Sequence, residues 1–440
     1  MSRFVRTACW LLASAAGLFP AVYASLQIVP GATWTASNGA HMQAHGGGVL
    51  EVNGTFYLVG EDKTDGSPFQ HVNCYSSRDL VQWHYEGALL SRGGTGDLGA
   101  GRIIERPKVI YNDKTGKYVL WMHVDSSNYG EAKVGVATGD SVCGQYTYLK
   151  SFRPLGFQSR DIGLFKDDDG AAYLLTEDRQ NGVRIDRLTD DYLAVANATY
   201  LWPDHIEAPA LLKHAGRYYM FGSHLSGWDP NDNVVSSSTA LTHGWTPWAT
   251  FADKGSKTYN SQTHFVLAYG PPDRRNVVYM GDRWVSKNLH ASTYVWLPLT
   301  IAGTDVRMKN YAAWVPNVGG GSGGAENTSW TPAPAATTQH GAVTLTGVAA
   351  ASSSSTDPTT IIVRYAVSEA AGRRGAVRVN GGAAVPMEFL PGTGRSNTGN
   401  SVLTVVLAAG GNNTIEIGGA GGADGSSWGP DIDTVEVPTA

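Results

Sequence analysis

The sequence has few cysteines, no cluster of positive charge and, beyond its first residues, no long apolar run. A membrane-spanning helix needs about 20 consecutive apolar residues, and no segment after residue 24 offers them. The formal net charge is only −5, and the Lys and Arg residues are dispersed. The chain therefore lacks the electrostatic pattern of a protein that binds nucleic acid or an anionic membrane.

Cysteine is scarce enough to exclude one class of site. Beyond Cys9 only Cys74 and Cys143 remain, far apart and without a CxxC cluster, which argues against a zinc site. An oxidising compartment would permit these two cysteines to pair. Their spacing alone leaves open whether they do, because pairing depends on the distance between their Cα atoms.

The first 24 residues have the pattern of a secretory signal. Arg3 and Arg6 precede an apolar core through Phe19, and small residues follow near Ala24. We therefore expect residues 1–24 to be cleaved and the mature protein to be soluble and extracellular. Four acceptor sequences for N-glycosylation fit that expectation, and they begin at Asn53, Asn197, Asn327 and Asn412.

Glycine and aromatic residues are abundant instead. Of the 440 residues, 54 are glycine, above the usual ~7 %, as expected for a chain with many tight turns. The 13 tryptophans and 20 tyrosines offer flat faces that can stack on sugars, although most should serve packing.

The chain repeats one plan five times: a polar residue, an apolar strand, a turn and a strand containing a tyrosine. Alternating apolar residues and turn residues such as Asp167–Gly170 indicate hairpins, whereas few stretches look like long amphipathic helices. We predict an all-β protein with a five-bladed β-propeller, in which four-stranded sheets surround a central channel. The marker tyrosines are Tyr57, Tyr118, Tyr173, Tyr219 and Tyr279.

The innermost strand of each predicted blade should point its first residues at the axis. Counting back from each tyrosine identifies those residues as Ala44, Glu105, Asp161, Glu207 and Gln262. All of them except Ala44 carry a carboxylate or a carboxamide. Glu207 is our candidate catalytic acid, because it lies between two prolines at the start of a strand. The alternative is an exposed glutamate at a strand end, which the convergence of the other axial residues disfavours.

Three motifs carry a family resemblance: Glu105-Arg-Pro-Lys-Val, Arg160-Asp-Ile-Gly-Leu-Phe and Ile206-Glu-Ala-Pro-Ala-Leu. With these, the chain resembles glycoside hydrolase family 43 across about residues 28–316. It is most similar to the exo-β-1,3-galactanase branch of that family through Gln43–Gly48, Ser223–Asn233 and Asn260–His264. The resemblance implies an inverting glycosidase with a funnel-shaped site.

The resemblance implies that Glu207 is the general acid, but the expected general-base aspartate is missing. Most members have it in the first blade, where this chain has Ala44-His-Gly. An inverting mechanism needs a carboxylic acid and a base on opposite faces of the sugar. In the galactanase branch a glutamine corresponding to Gln262 holds the water, either as an imidic acid or only by positioning it.

Charge suggests roles for two further axial carboxylates. An ionised Asp161 should raise the pKa of Glu207 and keep it protonated. Glu105 should bind a substrate hydroxyl or orient the water, the alternative being a buried salt bridge to Arg106 or Arg102.

The resemblance also implies substrate-binding residues, each of which could instead serve packing or lie at the surface. They are Glu61, Tyr129, Ser226 and Trp228. His45 and His264 could approach the axis, where some family members hold a calcium ion or water. We predict no metal in the catalytic site and no cofactor for catalysis.

The propeller is expected to end near residue 318 (catalytic domain 25–318), followed by a Gly/Pro/Thr-rich linker (319–338). Residues 339–440 alternate like the strands of a β-sandwich, or jelly roll. This segment is similar to carbohydrate-binding module family 35, which implies ligand binding by Trp428 and Asp431. The Glu-Ala-Glu opening that supplies calcium ligands is not evident near Gln339, so calcium is not predicted there, although Asp433 could act as a ligand.

Two classes of function remain after these steps. The first is a secreted exo-β-1,3-galactanase that acts on arabinogalactan as a monomer. The second is a non-catalytic sugar-binding propeller, which the missing aspartate favours. Within the enzyme class, an α-L-arabinofuranosidase or β-xylosidase is the nearest alternative.

Overall fold

The computed structural model describes residues 26–318, 330–332, 337–339, 342–350, 357–392, 398–419 and 429–438. The predicted signal segment, Asn327, most of the predicted linker and Trp428 lie outside these ranges. Across them the protein is all-β, as predicted, with three short 3-10 turns and one turn at Lys257–Asn260. None of these helical turns has the length or apolarity to cross a membrane.

After a two-residue strand β1 (Thr33–Trp34), the chain forms five four-stranded antiparallel sheets, each with its strands in chain order. The first sheet contains β2 (His45–Val52), β3 (Thr55–Glu61), β4 (His71–Ser77) and β5 (His84–Ser91). The second contains β6 (Ile103–Asn112), β7 (Lys117–Asp125), β8 (Lys133–Gly139) and β9 (Thr147–Phe152). The third contains β10 (Ile162–Lys166), β11 (Ala172–Asp178), β12 (Gly182–Leu188) and β13 (Val195–Trp202). The fourth contains β14 (Ile206–His214), β15 (Arg217–His224), β16 (Val234–Ser238) and β17 (Ala249–Thr250). The fifth contains β18 (Gln262–Tyr269), β19 (Asn276–Arg283), β20 (Thr293–Ala302) and β21 (Asp305–Met308).

The first strands of the five sheets contact one another in a closed cycle. β2 contacts β6, β6 contacts β10, β10 contacts β14, β14 contacts β18, and β18 returns to β2. The five marker tyrosines all lie in the second strands, as the repeat predicted. The beginnings of the first strands are therefore brought to one place.

Apolar side chains fill the spaces between neighbouring sheets. Val59 and Leu120 lie in a cluster shared by the first and second sheets. Trp121 of the second sheet packs with Leu174 of the third, and its indole is fully buried. Burying each large apolar side chain contributes about 1.5 to 3 kcal/mol, so contacts between sheets hold the cycle together.

Cys74 and Cys143 form a disulfide with a Cα–Cα distance of 5.6 Å. Cys74 lies in β4 and Cys143 in the turn between β8 and β9. The bond therefore connects the first sheet to the second. Closing a loop of this length stabilises a fold by about 4 kcal/mol in the chain-entropy description.

The carboxyl-terminal part forms two five-stranded sheets. Their strands are β22 (Trp330–Pro332), β23 (Thr337–Gln339), β24 (Ala342–Val348), β25 (Pro358–Ala366), β26 (Arg373–Val379), β27 (Val385–Phe389), β28 (Thr398–Val406), β29 (Asn413–Gly419) and β30 (Asp431–Pro438). One sheet has the order β1-β28-β25-β30-β22 and the other β23-β24-β29-β26-β27. Both sheets contribute to one buried apolar cluster that includes Ile361, Val363 and Ile415.

The amino-terminal strand β1 belongs to the first of these sheets. Thr33 pairs with Ser401 and Trp34 with Val402 in parallel. The backbone N–H of Gln27 also donates a hydrogen bond to the Thr360 hydroxyl oxygen at 3.0 Å. Residues that precede the five sheets thus pair directly with the carboxyl-terminal part, which the sequence pattern did not indicate.

Candidate active site

The predicted axial residues lie at the start of the first strands, where the closed cycle brings them together. Bulges interrupt the pairing at these strand beginnings, between Glu105 and Lys108 and between Glu207 and Ala210, for example. Arg106 and Ala208 there have positive φ angles of 55° and 57°, which are uncommon for residues other than glycine. A bulge redirects a side chain near a functional site, and these bulges reorient the strands where the carboxylates begin.

Glu207 is buried, with 6 % of its surface exposed. Its Oε1 accepts a hydrogen bond from Gln262 Nε2 at 2.8 Å, and Arg179 Nη2 lies 3.7 Å from its Oε2. Burial, followed by the charges of Asp161 and Glu177, raises the pKa of Glu207 to about 8, against the opposing effect of two arginines. The direction expected from Asp161 is confirmed, but burial is the larger cause.

Three neighbours fix the orientation of Gln262. Its Oε1 accepts hydrogen bonds from Arg106 Nη2 at 2.5 Å and from Trp284 Nε1 at 2.9 Å. Its Nε2 donates to Glu207. Two N–H donors directed at one end identify that end as the carbonyl oxygen, because the amide nitrogen cannot accept them.

Asp161 lies immediately before β10 and beside Glu207. Its Oδ2 lies 3.1 Å from Arg106 Nη2 and accepts the N–H of Ala208 at 3.0 Å. Arg106 therefore interacts with both Asp161 and Gln262. Asp161 is also hydrogen-bonded to the backbone of Ala208, the residue that follows Glu207.

Glu105 and Glu61 lie around one lysine. Lys63 Nζ is 2.8 Å from Glu61 Oε2 and 3.2 Å from Glu105 Oε1. The Tyr129 hydroxyl donates a hydrogen bond to Glu105 Oε1 at 3.0 Å, and His123 Nδ1 is 3.5 Å from Glu105 Oε2. Glu105 thus forms a buried salt bridge, as its alternative interpretation expected, but with Lys63 and not with Arg106 or Arg102.

Both arginines suggested for Glu105 have other partners. Arg106 pairs with Asp161, and Arg102 pairs with Asp97 and Glu131. Arg106 directly follows Glu105 in β6 and has a positive φ angle, so the two side chains diverge.

The two glutamates share this lysine but differ in pKa, because His123 and Tyr129 act on Glu105 as well. Burial acts to raise the pKa of Glu105, but Lys63, His123 and Tyr129 overcome it and hold this pKa well below its usual range. Burial raises the pKa of Glu61 to about 7, although Lys63 opposes the rise. His123 is itself buried, yet Asp125 and Glu105 raise its pKa to about 9.

Trp228 and Ser226 lie in the loop between β15 and β16. Lys63 Nζ is 5.7 Å from the centroid of the Trp228 ring, and Trp228 packs edge-to-face on Trp284 with centroids 5.0 Å apart. The Ser226 hydroxyl donates to Asp229 O at 2.5 Å and accepts from Asn231 at 2.7 Å. Trp228 thus reaches the charged site, whereas the Ser226 hydroxyl is engaged within its own loop.

Sequence reasoning missed several residues that the structure brings to this site: Lys63, His123, Glu177, Arg179 and Trp284. Two signals were available. Lys63 is two residues after Glu61. Trp284 directly follows the last residue of β19, the strand in which Asp282 pairs with Gln262.

Further along the axis lies a buried ionic group. His45 Nδ1 is 2.9 Å from Asp282 Oδ1, and Lys108 Nζ donates to Gly46 O at 2.5 Å. Burial lowers the pKa of Lys108 to about 7 and that of His264 to about 4. Within the described ranges, no group of three or more His, Cys, Asp or Glu side chains is arranged to hold a metal ion.

Of the predicted module ligands, only Asp431 can be placed. It is the first residue of β30, is exposed and pairs with Ala366 in the ladder. Asp433 follows on the same strand and is also exposed.

The chain is similar to known proteins in both sequence and fold. The model of the glycosyl hydrolases family 43 matches residues 44–279. The chain is similar to an exo-β-1,3-galactanase from Phanerochaete chrysosporium with galactose, at 34 % identity and a TM-score of 0.69, covering 93 % of this chain and 100 % of that one. A variant of that enzyme with β-1,3-galactotriose is similar at 34 % identity and a TM-score of 0.68, covering 93 % of this chain and 99 % of that one.

A bacterial structure is similar at lower identity. An exo-β-1,3-galactanase from Clostridium thermocellum shares 26 % identity with a TM-score of 0.65, covering 92 % of this chain and 100 % of that one. No match is found among curated proteins.

Proposed function

Because this chain belongs to glycosyl hydrolase family 43 and is a glycoside hydrolase, we propose that it is an inverting exo-β-1,3-galactanase. It releases galactose from the non-reducing end of β-1,3-galactan chains such as those of arabinogalactan. The similar structures with galactose and β-1,3-galactotriose support this substrate. The observation that carries the mechanism is a buried carboxyl, Glu207, whose pKa of about 8 keeps it protonated near neutral pH.

Glu207 acts as the general acid. Its proton passes to the glycosidic oxygen as the bond between that oxygen and the anomeric carbon breaks. Water attacks the anomeric carbon from the opposite face, which inverts its configuration. Asp161 supports this role, since its charge disfavours ionisation of Glu207.

Gln262 positions the attacking water as an amide. Bound substrate must first separate its Nε2 from Glu207 Oε1, because the two atoms are hydrogen-bonded at 2.8 Å and the water lies on the face of the sugar opposite the acid. An imidic acid would place a hydroxyl proton on Oε1, which already accepts N–H donors from Arg106 and Trp284. These two hydrogen bonds therefore favour the amide over the imidic acid. The water proton passes to a carboxylate, for which Glu105 is our candidate because Lys63 holds it ionised.

Glu61, Tyr129 and Trp228 bind the sugar beside this centre. The carboxylate of Glu61 and the hydroxyl of Tyr129 supply hydrogen bonds, and Trp228 offers an aromatic face. Ser226 contributes by shaping the loop that contains Trp228.

We extend the proposal to the architecture. The five sheets are the blades of a five-bladed propeller, supported by the closed cycle of their first strands. The two carboxyl-terminal sheets form a β-sandwich that acts as a carbohydrate-binding module, supported by their shared apolar cluster. The enzyme is secreted, works as a monomer and needs no cofactor for catalysis.

The function is tested by incubating the full chain with β-1,3-galactan and, separately, with an aryl α-L-arabinofuranoside. We expect galactose as the product of the first reaction, released initially as the α-anomer by NMR, and no significant reaction in the second. Release of arabinose alone would support the alternative glycosidase. Galactan binding without hydrolysis would support the non-catalytic protein.

A further inference from the structure

A polar cavity of about 370 Å³ lies between the fifth sheet and the carboxyl-terminal sheets, and Glu207 is not among the residues that line it. Its volume is within the range of about 300 to 1,000 Å³ that small-molecule sites occupy. The five sheets contribute Arg283 and Thr293, and the carboxyl-terminal sheets contribute Arg364, Asn400 and Asp433. The cavity therefore exists only where the two parts of the protein meet.

Arg283 brings an unpaired positive charge to this cavity. Its guanidinium donates to the backbone oxygens of Tyr259 at 2.9 Å and Asn260 at 3.3 Å. In the part of the chain that the structure describes, no carboxylate forms an ion pair with it. Burial lowers the pKa of Arg283, which indicates that its surroundings disfavour the charge. A buried charge without a partner is costly, so an anion in the cavity would be stabilised.

The second arginine in the cavity is already neutralised. Arg364 donates to both carboxylate oxygens of Glu436, at 2.6 and 3.1 Å. Among the described residues that line the cavity, Arg283 is therefore the cation available to a ligand.

Gly31 makes room for this arginine. A Cβ atom at Gly31 would lie only 1.9 Å from Arg283 Nη1, and its φ angle is +77°. A side chain at this position would displace the guanidinium. Glycine at position 31 therefore allows the charged group of Arg283 to line the cavity.

The carboxyl-terminal wall offers groups of a different kind. Asp433 is exposed on β30 and makes no hydrogen bond with the described residues. Asn400 accepts from Arg364 at 3.4 Å through its oxygen, which leaves its amide N–H groups directed elsewhere. A carboxylate and an amide are the groups that bind sugar hydroxyls, whereas a simple anion would be repelled by Asp433.

We propose that this cavity binds an acidic sugar residue, a hexuronate. Its carboxylate pairs with Arg283, in the two-bond geometry that guanidinium groups favour, and its hydroxyls bond to Asp433 and Asn400. The cation from the five sheets and the anion from the carboxyl-terminal sheets match the carboxylate and the hydroxyls of one ligand. This inference does not rest on the galactan specificity proposed above.

The test is calorimetric titration of the full chain with D-glucuronate, D-glucose and acetate. We expect glucuronate to bind at least tenfold more tightly than either control, because only glucuronate has both the carboxylate and the hydroxyls. Arg283→Gln should abolish the binding, and Asp433→Ala should weaken it five- to tenfold. The second variant is needed because Arg283 also holds the turn before Gln262.

Two variants serve as controls. Asp431→Asn alters another exposed acid on the same strand, and Glu207→Gln alters the catalytic site, so both should leave glucuronate affinity unchanged. Absence of glucuronate binding, or equal binding of acetate, would overturn the proposal. Loss of binding in either control, with Asp433→Ala unaffected, would assign the ligand to another site.

Discussion

The two sides of the active site have similar carboxylates but different partners. On one side Lys63 lies between Glu61 and Glu105, and the pKa of Glu105 is held low. On the other side Arg106 pairs with Asp161 and donates to Gln262, and Arg179 approaches Glu207 to 3.7 Å. Burial and the charges of Asp161 and Glu177 outweigh these two arginines, so the pKa of Glu207 rises. Burial and the neighbouring charges thus make Glu105 a stable carboxylate and Glu207 a proton donor.

Replacing Glu207 should have the largest effect. Glu207→Gln keeps the size of the side chain but removes the proton, so we expect kcat on β-1,3-galactan to fall about 10³-fold or more. Galactose affinity, measured by calorimetry, should remain. Glu51→Gln, an exposed glutamate of β2, is the control, and near-normal turnover of Glu207→Gln would remove Glu207 from the acid role.

Removing Lys63 should abolish the contrast between the two sides. In Lys63→Met two buried carboxylates lose their shared cation, which should destabilise the fold by about 3 kcal/mol and weaken sugar binding. Chemical denaturation measures the stability.

The matched control is Lys114→Met, which breaks an exposed pair with Asp190 and should cost less than about 1 kcal/mol. Equal stability losses in Lys63→Met and Lys114→Met would show that Lys63 does not balance the buried charges.

Substitutions at and beside Gln262 test the side of the active site that contains Glu207. Gln262→Ala should lower kcat about 100-fold, because misplacing a reacting group costs a factor of this order, with little change in KM. Trp284→Phe removes only one of the two hydrogen bonds to Gln262 Oε1 and should cause a smaller loss of kcat. Equal changes in kcat and KM for Gln262→Ala would indicate a role in binding alone.

The pH dependence gives the smallest but most direct comparison. Because the pKa of Glu207 is raised to about 8, the acid is protonated below that pH, and kcat/KM should fall as the pH rises through it. Arg179 acts to lower this pKa, so Arg179→Gln should move the fall to higher pH. Arg187→Gln, an exposed arginine of β12, is the control, and an unchanged profile in Arg179→Gln would contradict the assignment.

Local patterns were enough to predict much of the fold. The marker tyrosines lie in the second strands, since alternation and turn residues depend on neighbours in the chain. The strand predictions around Ile361 and Ser401 were likewise confirmed. The pairing of β1 with β28 was not predictable, because two residues carry too little pattern and their partner lies far along the chain.

The sequence by itself determined which residues begin the first strands, and thereby that Glu105, Glu207 and Gln262 approach one axis. Only the tertiary structure decided how the cations are shared among them. Arg106 follows Glu105 in the chain, yet a positive φ angle turns it towards Asp161 and Gln262. A pKa depends on burial and on distances between groups from different sheets, and those distances exist only once the cycle of sheets has closed.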